Sequence, residues 1–401
     1  MNFVPPKPNS VVIRLTRSVL PLVLRSRSVT EVQCREQDLA RLRALRGERV
    51  ALLPNHPTTT DPAVMYHVGK LVDQRFYFLC CIEAFRDLRG AWGWLIQRCG
   101  AYSITRGTPD RKAFKMTREL LAQPGAKLVA FPEGEVYSQN DSLLPFHSGL
   151  TQLLFWAQED VLRRSPGETI QALPVTIKYR FAEDMGPAIL TCFIRLEAAL
   201  GLPDGGGDGP YARLRRVGEK VVGKLETQYG VRDQEGAELG PRMAALKQAI
   251  VERIAGGLQV RPPEGPLPDT VRYLTNTLHR VTDEEPREPC PYDLRLWEDE
   301  RQRLRPLVRD LDRLSNWIAV YDGYVAERPT PERIAETVRR LEIEVLGKPY
   351  CIGKQHCLVR MGEPVAISDH YQPYVADKSQ TVDTLTRQFE QNVRAMLDEM
   401  G

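Results

Sequence analysis

The chain has 401 residues, 42% of them hydrophobic, enough to build one large or two to three ordinary globular domains. Its 55 basic and 52 acidic residues leave a net charge of +3, too balanced for a general nucleic-acid binder. Nowhere do about 18 apolar residues run consecutively, so no membrane-spanning helix is expected, and the eight cysteines, with Cys80, Cys81, Cys99 and Cys192 in apolar stretches, fit reduced core thiols in a cytoplasmic setting.

Residues 1–45 open the chain as a basic amphipathic segment. Lys7, Arg14, Arg17, Arg25 and Arg27 are interleaved with Val11, Val12, Ile13, Leu15, Val19, Leu20, Leu22, Val23 and Leu24, and the first 30 residues contain no acid. Two readings follow: an interfacial helix on an anionic membrane surface, or a helix packed on the protein's own core with its arginines in water. Arginines recur through the apolar region and no small-residue cleavage pattern follows, so a secretory signal is not expected.

From residue 46 to 200 short apolar runs alternate with helical segments, which predicts an α/β core with a mixed, mostly parallel sheet flanked by helices. The expected strands are 50–53, 76–80, 101–104, 128–131 and 172–177; the expected helices are 62–72, 91–98, 111–123 and 149–164. The Gly/Pro/Asp-rich stretch 201–210 then breaks the rhythm. Beyond it the helix-like segments 211–229, 241–258, 270–281, 294–317 and 331–346 make 201–350 a large helical insertion. Residues 351–401 return to the core with a closing strand at 357–365 and a helix at 381–400.

The chemistry concentrates at Asn55-His56-Pro57-Thr58-Thr59-Thr60-Asp61-Pro62, in a strand-to-helix turn. On one helix a spacing of five would put His56 and Asp61 roughly 140° apart. Pro57 opposes that arrangement by keeping His56 extended. The pair can therefore meet, with the carboxylate orienting an imidazole that removes a proton from a hydroxyl. An ordinary capped turn uses the same residues, with Asp61 as N-cap and Pro62 at the first helical position.

Three further segments are expected in loops at the carboxyl ends of strands, where open α/β sheets bind ligands: Gly100 to Gly107, whose short strand closes in Arg106; Phe131-Pro132-Glu133-Gly134-Glu135; and Leu173-Pro174-Val175-Thr176-Ile177. Each alone is also an ordinary surface arginine, a turn or a strand start. Trp92, Trp94, Leu95 and Ile96 either pack in the core or form an apolar rim. His147 is read as structural. Cys351, His356 and Cys357 match no common zinc spacing, so neither a metal nor a cofactor is expected.

In this order and spacing the segments resemble the glycerolipid acyltransferase superfamily, which contains bacterial 1-acylglycerol-3-phosphate acyltransferases and tafazzin. Asn55, His56 and Asp61 match its NHxxxxD motif. Gly100, Ile104 and Arg106 match its second motif, Phe131 to Gly134 its FPEG motif, and Leu173 to Val175 its fourth. The resemblance covers about residues 45–180. It implies a membrane-peripheral O-acyltransferase on the cytoplasmic face of the membrane, moving an acyl chain from acyl-CoA or acyl carrier protein to a lysophospholipid or related hydroxyl. His56 and Asp61 are then catalytic, and Asn55, Thr58, Gly100, Arg106, Phe131, Pro132, Glu133 and Gly134 are substrate-binding.

One departure stands out. Where lysophosphatidate acyltransferases continue FPEG with Thr-Arg-Ser, this chain has Glu135-Val136-Tyr137-Ser138. Glu135 repels a phosphate dianion unless it points away, which favours a diester headgroup or another lipid alcohol. The competing readings are a phospholipid transacylase, an acyl-thioester hydrolase, and, without catalysis, a helical region docking lipid enzymes or acyl carrier protein through Arg213, Arg215 and Arg216.

Overall fold

The computed structural model describes residues 3–86, 90–106, 109–231, 237–283, 290–318 and 320–401. They fall into two compact units, one formed by Met1–Glu183 with Gly353–Gly401 and the other by Asp184–Ile352.

The first unit starts with helix α1 (Ser10–Ser26), whose N-cap Asn9 accepts the Val11 and Val12 amides. Strand β1 (Val29–Cys34) and helix α2 (Glu36–Ala44) follow, so residues 1–45 hold more than an amphipathic helix. Then come β2 (Arg49–Pro54), α3 (Asp61–Leu71), β3 (Tyr77–Cys81), α4 (Ala91–Arg98), β4 (Ala101–Ile104), α5 (Arg111–Leu121), β5 (Lys127–Val129), α6 (Ser148–Arg164) and β6 (Ile170–Phe181). After the second unit the chain returns as β7 (Gln355–Met361), β8 (Val365–Ala366) and helices α13 (Tyr371–Ala376) and α14 (Lys378–Glu399).

The strands form one sheet in the order β1-β7-β6-β2-β5-β3-β4, with β8 beside β6. Pairing is parallel except where β7 and β8 run against β6. The fold is thus α/β with a mixed, mostly parallel sheet, and the closing strand rejoins it as expected. Gly362 to Pro364 split that expected strand into β7 and β8.

Strand β2 is buried over its whole length because both of its faces are covered. Val50 and Leu52 join Val64, Val68 and Val175 in the core that also takes Leu20 and Leu24 of α1. Ala51 and Leu53 face the other way, toward Leu120, Leu154, Val382 and Phe389. This period-two alternation places α1 and α3 on one face of the sheet and α5, α6 and α14 on the other.

The second unit contains α7 (Gly186–Leu200), α8 (Pro210–Tyr229), α9 (Leu239–Leu258), α10 (Leu267–Asp283), α11 (Pro291–Trp317) and α12 (Pro331–Leu346). Its contact boundary lies at Asp184, not at residue 201. The Gly-rich stretch is a connection inside the unit, because Arg213 of α8 donates to both carboxylate oxygens of Glu197 on α7 and also meets Asp204. Arg216 pairs with Glu197 and Asp208, and Arg215 with Glu219. The arginines expected to offer charge to an acidic carrier are therefore paired inside their own unit, with Arg213 buried.

Candidate active site

Because β2, β3, β4 and β5 are parallel, their carboxyl ends open on one edge of the sheet. The segments after β2, β4 and β5 meet there. Beyond Pro54 the chain turns through His56 and re-enters helix at Asp61, behind the N-cap Thr60. Asp61 begins α3, yet its carboxylate points back into the turn, where Oδ2 accepts the Thr58 amide at 2.8 Å.

His56 Nδ1 lies 2.8 Å from that same Oδ2. A carboxylate only accepts, so Nδ1 carries the proton and the neutral ring keeps its lone pair on Nε2. Among the described residues no hydrogen bond engages Nε2. The His56 side chain is 14% exposed and that of Asp61 is 0% exposed, an arrangement in which the acid is sequestered and the imidazole is reachable.

Tyr179 completes the cradle. Its hydroxyl donates to Asp61 Oδ1 at 2.5 Å, and the Thr58 hydroxyl lies 3.0 Å from the same oxygen and 3.2 Å from Tyr179 Oη. Burial first, and then the Asp61 charge, push the Tyr179 phenol far above its ordinary range, so it stays a donor. Nothing in the local sequence marks it. Tyr179 stands 118 residues from Asp61, and only the length of β6 brings it to this edge.

The ring against His56 is Phe131, stacked at 3.9 Å between centroids with 20° between planes. Sheet pairing of β5 stops at Val129, two residues short of the expected strand end, and the chain beyond it carries this ring to the imidazole. Glu133 sits beyond it, 5% exposed, with Oε1 accepting the His56 amide at 2.6 Å and Oε2 accepting the Leu144 amide at 2.9 Å. Burial lifts its carboxyl to about 8, while the Leu144 and His56 amides hold it from rising further. Pro132 is buried, and its carbonyl accepts the His147 amide at 2.9 Å. At Gly134, with φ +72°, a Cβ would lie 3.0 Å from His147 Cδ2.

Several residues expected to meet substrate have other tasks. Asn55 is fully buried, donating to the Ile177 carbonyl at 3.0 Å and accepting the Ile177 amide at 2.6 Å. Its side chain continues the ladder on β6 where β2 has ended. Asn140 repeats the device two residues on, with 2.6 Å bonds to both backbone groups of Tyr179. Thr58 holds Asp61. Gly100 lies at the amino end of β4, its φ of +107° and its approach to the Phe76 carbonyl serving a turn on the edge opposite His56. Leu173 to Ile177 lie within β6, where Pro174 pairs with Leu53, rather than in a loop.

Residues 31–178 match the acyltransferase family model. The match marks an acyltransferase-family domain in this part of the chain. No curated protein matches the chain. Within the acyltransferase domain the imidazole, its carboxylate and the stacked Phe131 are held from β2, α3 and the segment after β5. The phenol that fixes the carboxylate comes from Tyr179, one residue past the matched segment.

Arg106 follows β4 on the same edge. Its Nη1 donates to Glu135 Oε2 at 2.5 Å and to the Gly134 carbonyl at 3.1 Å, and its Nη2 lies 3.8 Å from Glu83 Oε2.

Proposed function

We propose that the protein is a membrane-peripheral O-acyltransferase moving an acyl chain from acyl-CoA or acyl carrier protein to the hydroxyl of a lysophospholipid or related lipid. The observation that carries this reading is the His56–Asp61 bond with Nε2 unengaged, inside an acyltransferase domain. Neutral His56 takes the hydroxyl proton at Nε2 as the oxygen attacks the thioester carbonyl. Asp61, fixed by Tyr179 and Thr58, stabilises the imidazolium that forms. The tetrahedral intermediate collapses, expelling the thiolate, which recovers the proton; an ester and a free thiol leave. With neither serine nor cysteine in the turn, no acyl-enzyme is needed.

Attachment to the anionic, cytoplasmic face of a membrane is part of the same proposal. Ile13, Leu20 and Leu24 of α1 are buried, while Val11, Leu15, Val19 and Leu22 are 49–65% exposed. Trp92 and Trp94 of α4 are 39% and 53% exposed, an outward position that the core-packing reading does not describe. Apolar side chains with Arg14 and Arg25 on the same helix suit an interface of lipid headgroups. Among the described residues no helix is long and apolar enough to cross a membrane.

Incubation with a labelled acyl thioester and a panel of lysolipids tests the reading by product. A new ester supports it. Chain exchange between phospholipids without a thioester indicates a transacylase, and free fatty acid without an acceptor a hydrolase.

A further inference from the structure

We infer that Glu135 is a built-in counter-ion for Arg106 that directs the acceptor site away from phosphomonoesters, toward a lipid alcohol whose headgroup brings no dianion to this point. The inference rests on the acyl-transfer reading above and specifies its acceptor.

Arg106 follows β4 at the edge of the sheet that also holds His56. The Gly134 carbonyl to which it donates belongs to the residue after Glu133, whose carboxylate accepts the His56 amide. Whatever meets Arg106 is therefore placed relative to the base. The guanidinium already faces two carboxylates, Glu135 in a direct charge-assisted bond and Glu83 at 3.8 Å. These three described side chains together carry one positive and two negative charges. Arg106, Glu135 and Glu83 are 24%, 20% and 27% exposed, so water screens them only in part.

A phosphate dianion entering here has to break the Arg106–Glu135 bond and then lie beside both displaced carboxylates. An uncharged hydroxylated headgroup meets neither penalty. A zwitterionic one brings an ammonium that either glutamate accepts. Selection of this kind acts through repulsion, and Glu135 is the residue that supplies it.

The test uses the full chain as wild type, Glu135→Gln, and Glu135→Gln with Arg106→Gln, each checked for folding by its thermal melt. Acyl-CoA is the donor, and lysophosphatidate and lysophosphatidylethanolamine of equal chain length are the acceptors. Wild type is expected to favour the zwitterion. Glu135→Gln should shift the kcat/KM ratio toward lysophosphatidate by about tenfold, and the double variant should lose that gain. A folded Glu135→Gln with an unchanged ratio, or a wild type preferring lysophosphatidate, overturns the inference.

A second measurement is independent of turnover. Glycerol 3-phosphate is titrated calorimetrically into His56→Ala with and without Glu135→Gln, and the added substitution should tighten binding by about tenfold. Equal binding contradicts the role given to Glu135. If wild type acylates no acceptor at all, the proposed function fails, and this binding comparison still decides the inference.

Discussion

Tyr179 Oη lies 2.5 Å from Asp61 Oδ1, on the carboxylate oxygen opposite the one that faces His56. The phenol thereby draws charge away from the side of Asp61 that meets the imidazole. Without it the Thr58 hydroxyl is the side-chain donor left to that oxygen, and the carboxylate is less firmly aimed at the imidazole.

Tyr179→Phe is therefore expected to lower kcat by about tenfold with little change in KM. Initial rates on the purified variant, with a thermal melt as folding control, read both. An unchanged kcat in the folded variant contradicts the role given to Tyr179.

Asn55→Ala strands the buried amide and carbonyl of Ile177. A loss of about 1–3 kcal/mol is expected for each group left without a partner, read as a lower denaturant midpoint. Substrate KM is not the expected readout, because the Asn55 side chain faces β6.

Glu133 titrates near 8 in the folded chain against an ordinary 4.5. The folded state therefore binds this proton more tightly than the unfolded state. Its contribution to stability is complete below about pH 4.5 and is lost as pH rises to about 8. Glu133→Gln should be less stable at low pH, since its amide opposes one of the two backbone donors, yet should lose less than wild type between pH 5 and 8. Denaturant midpoints across that interval measure the difference, and parallel curves would refute the assignment.

The exposed row on α1 gives a prediction about attachment. Leu15→Asp with Leu22→Asp should weaken binding to anionic vesicles by about tenfold or more without changing the thermal midpoint, because both side chains face outward. Vesicle flotation and a thermal melt decide it.

The sequence carried the site unevenly, for physical reasons. His56 and Asp61 were legible because proline chemistry and a spacing of five act locally. The sheet was legible wherever strands are buried on both faces, as at Val50 to Leu53. Strand β1 was not, since Glu31 and Gln33 interrupt the apolar signal on an edge strand that pairs with β7 325 residues away in sequence. Asn55 and Asn140 act on backbone of β6 and Tyr179 acts on Asp61, all through distant contacts without a local pattern. The glycine run is not the unit boundary: the Glu197–Arg213 pairing spans it, and the unit begins at Asp184. Glu135 was legible as a charge but not as a partner, and its bond to Arg106 changes what that charge does.

The role of His56 as base for acyl transfer to a hydroxyl is decided by the initial rate of labelled acyl transfer from acyl-CoA to the preferred lysolipid, compared between wild type and His56→Ala of equal thermal midpoint. A loss of at least about 10³-fold is expected in the variant; transfer at a comparable rate by a folded His56→Ala rules that role out.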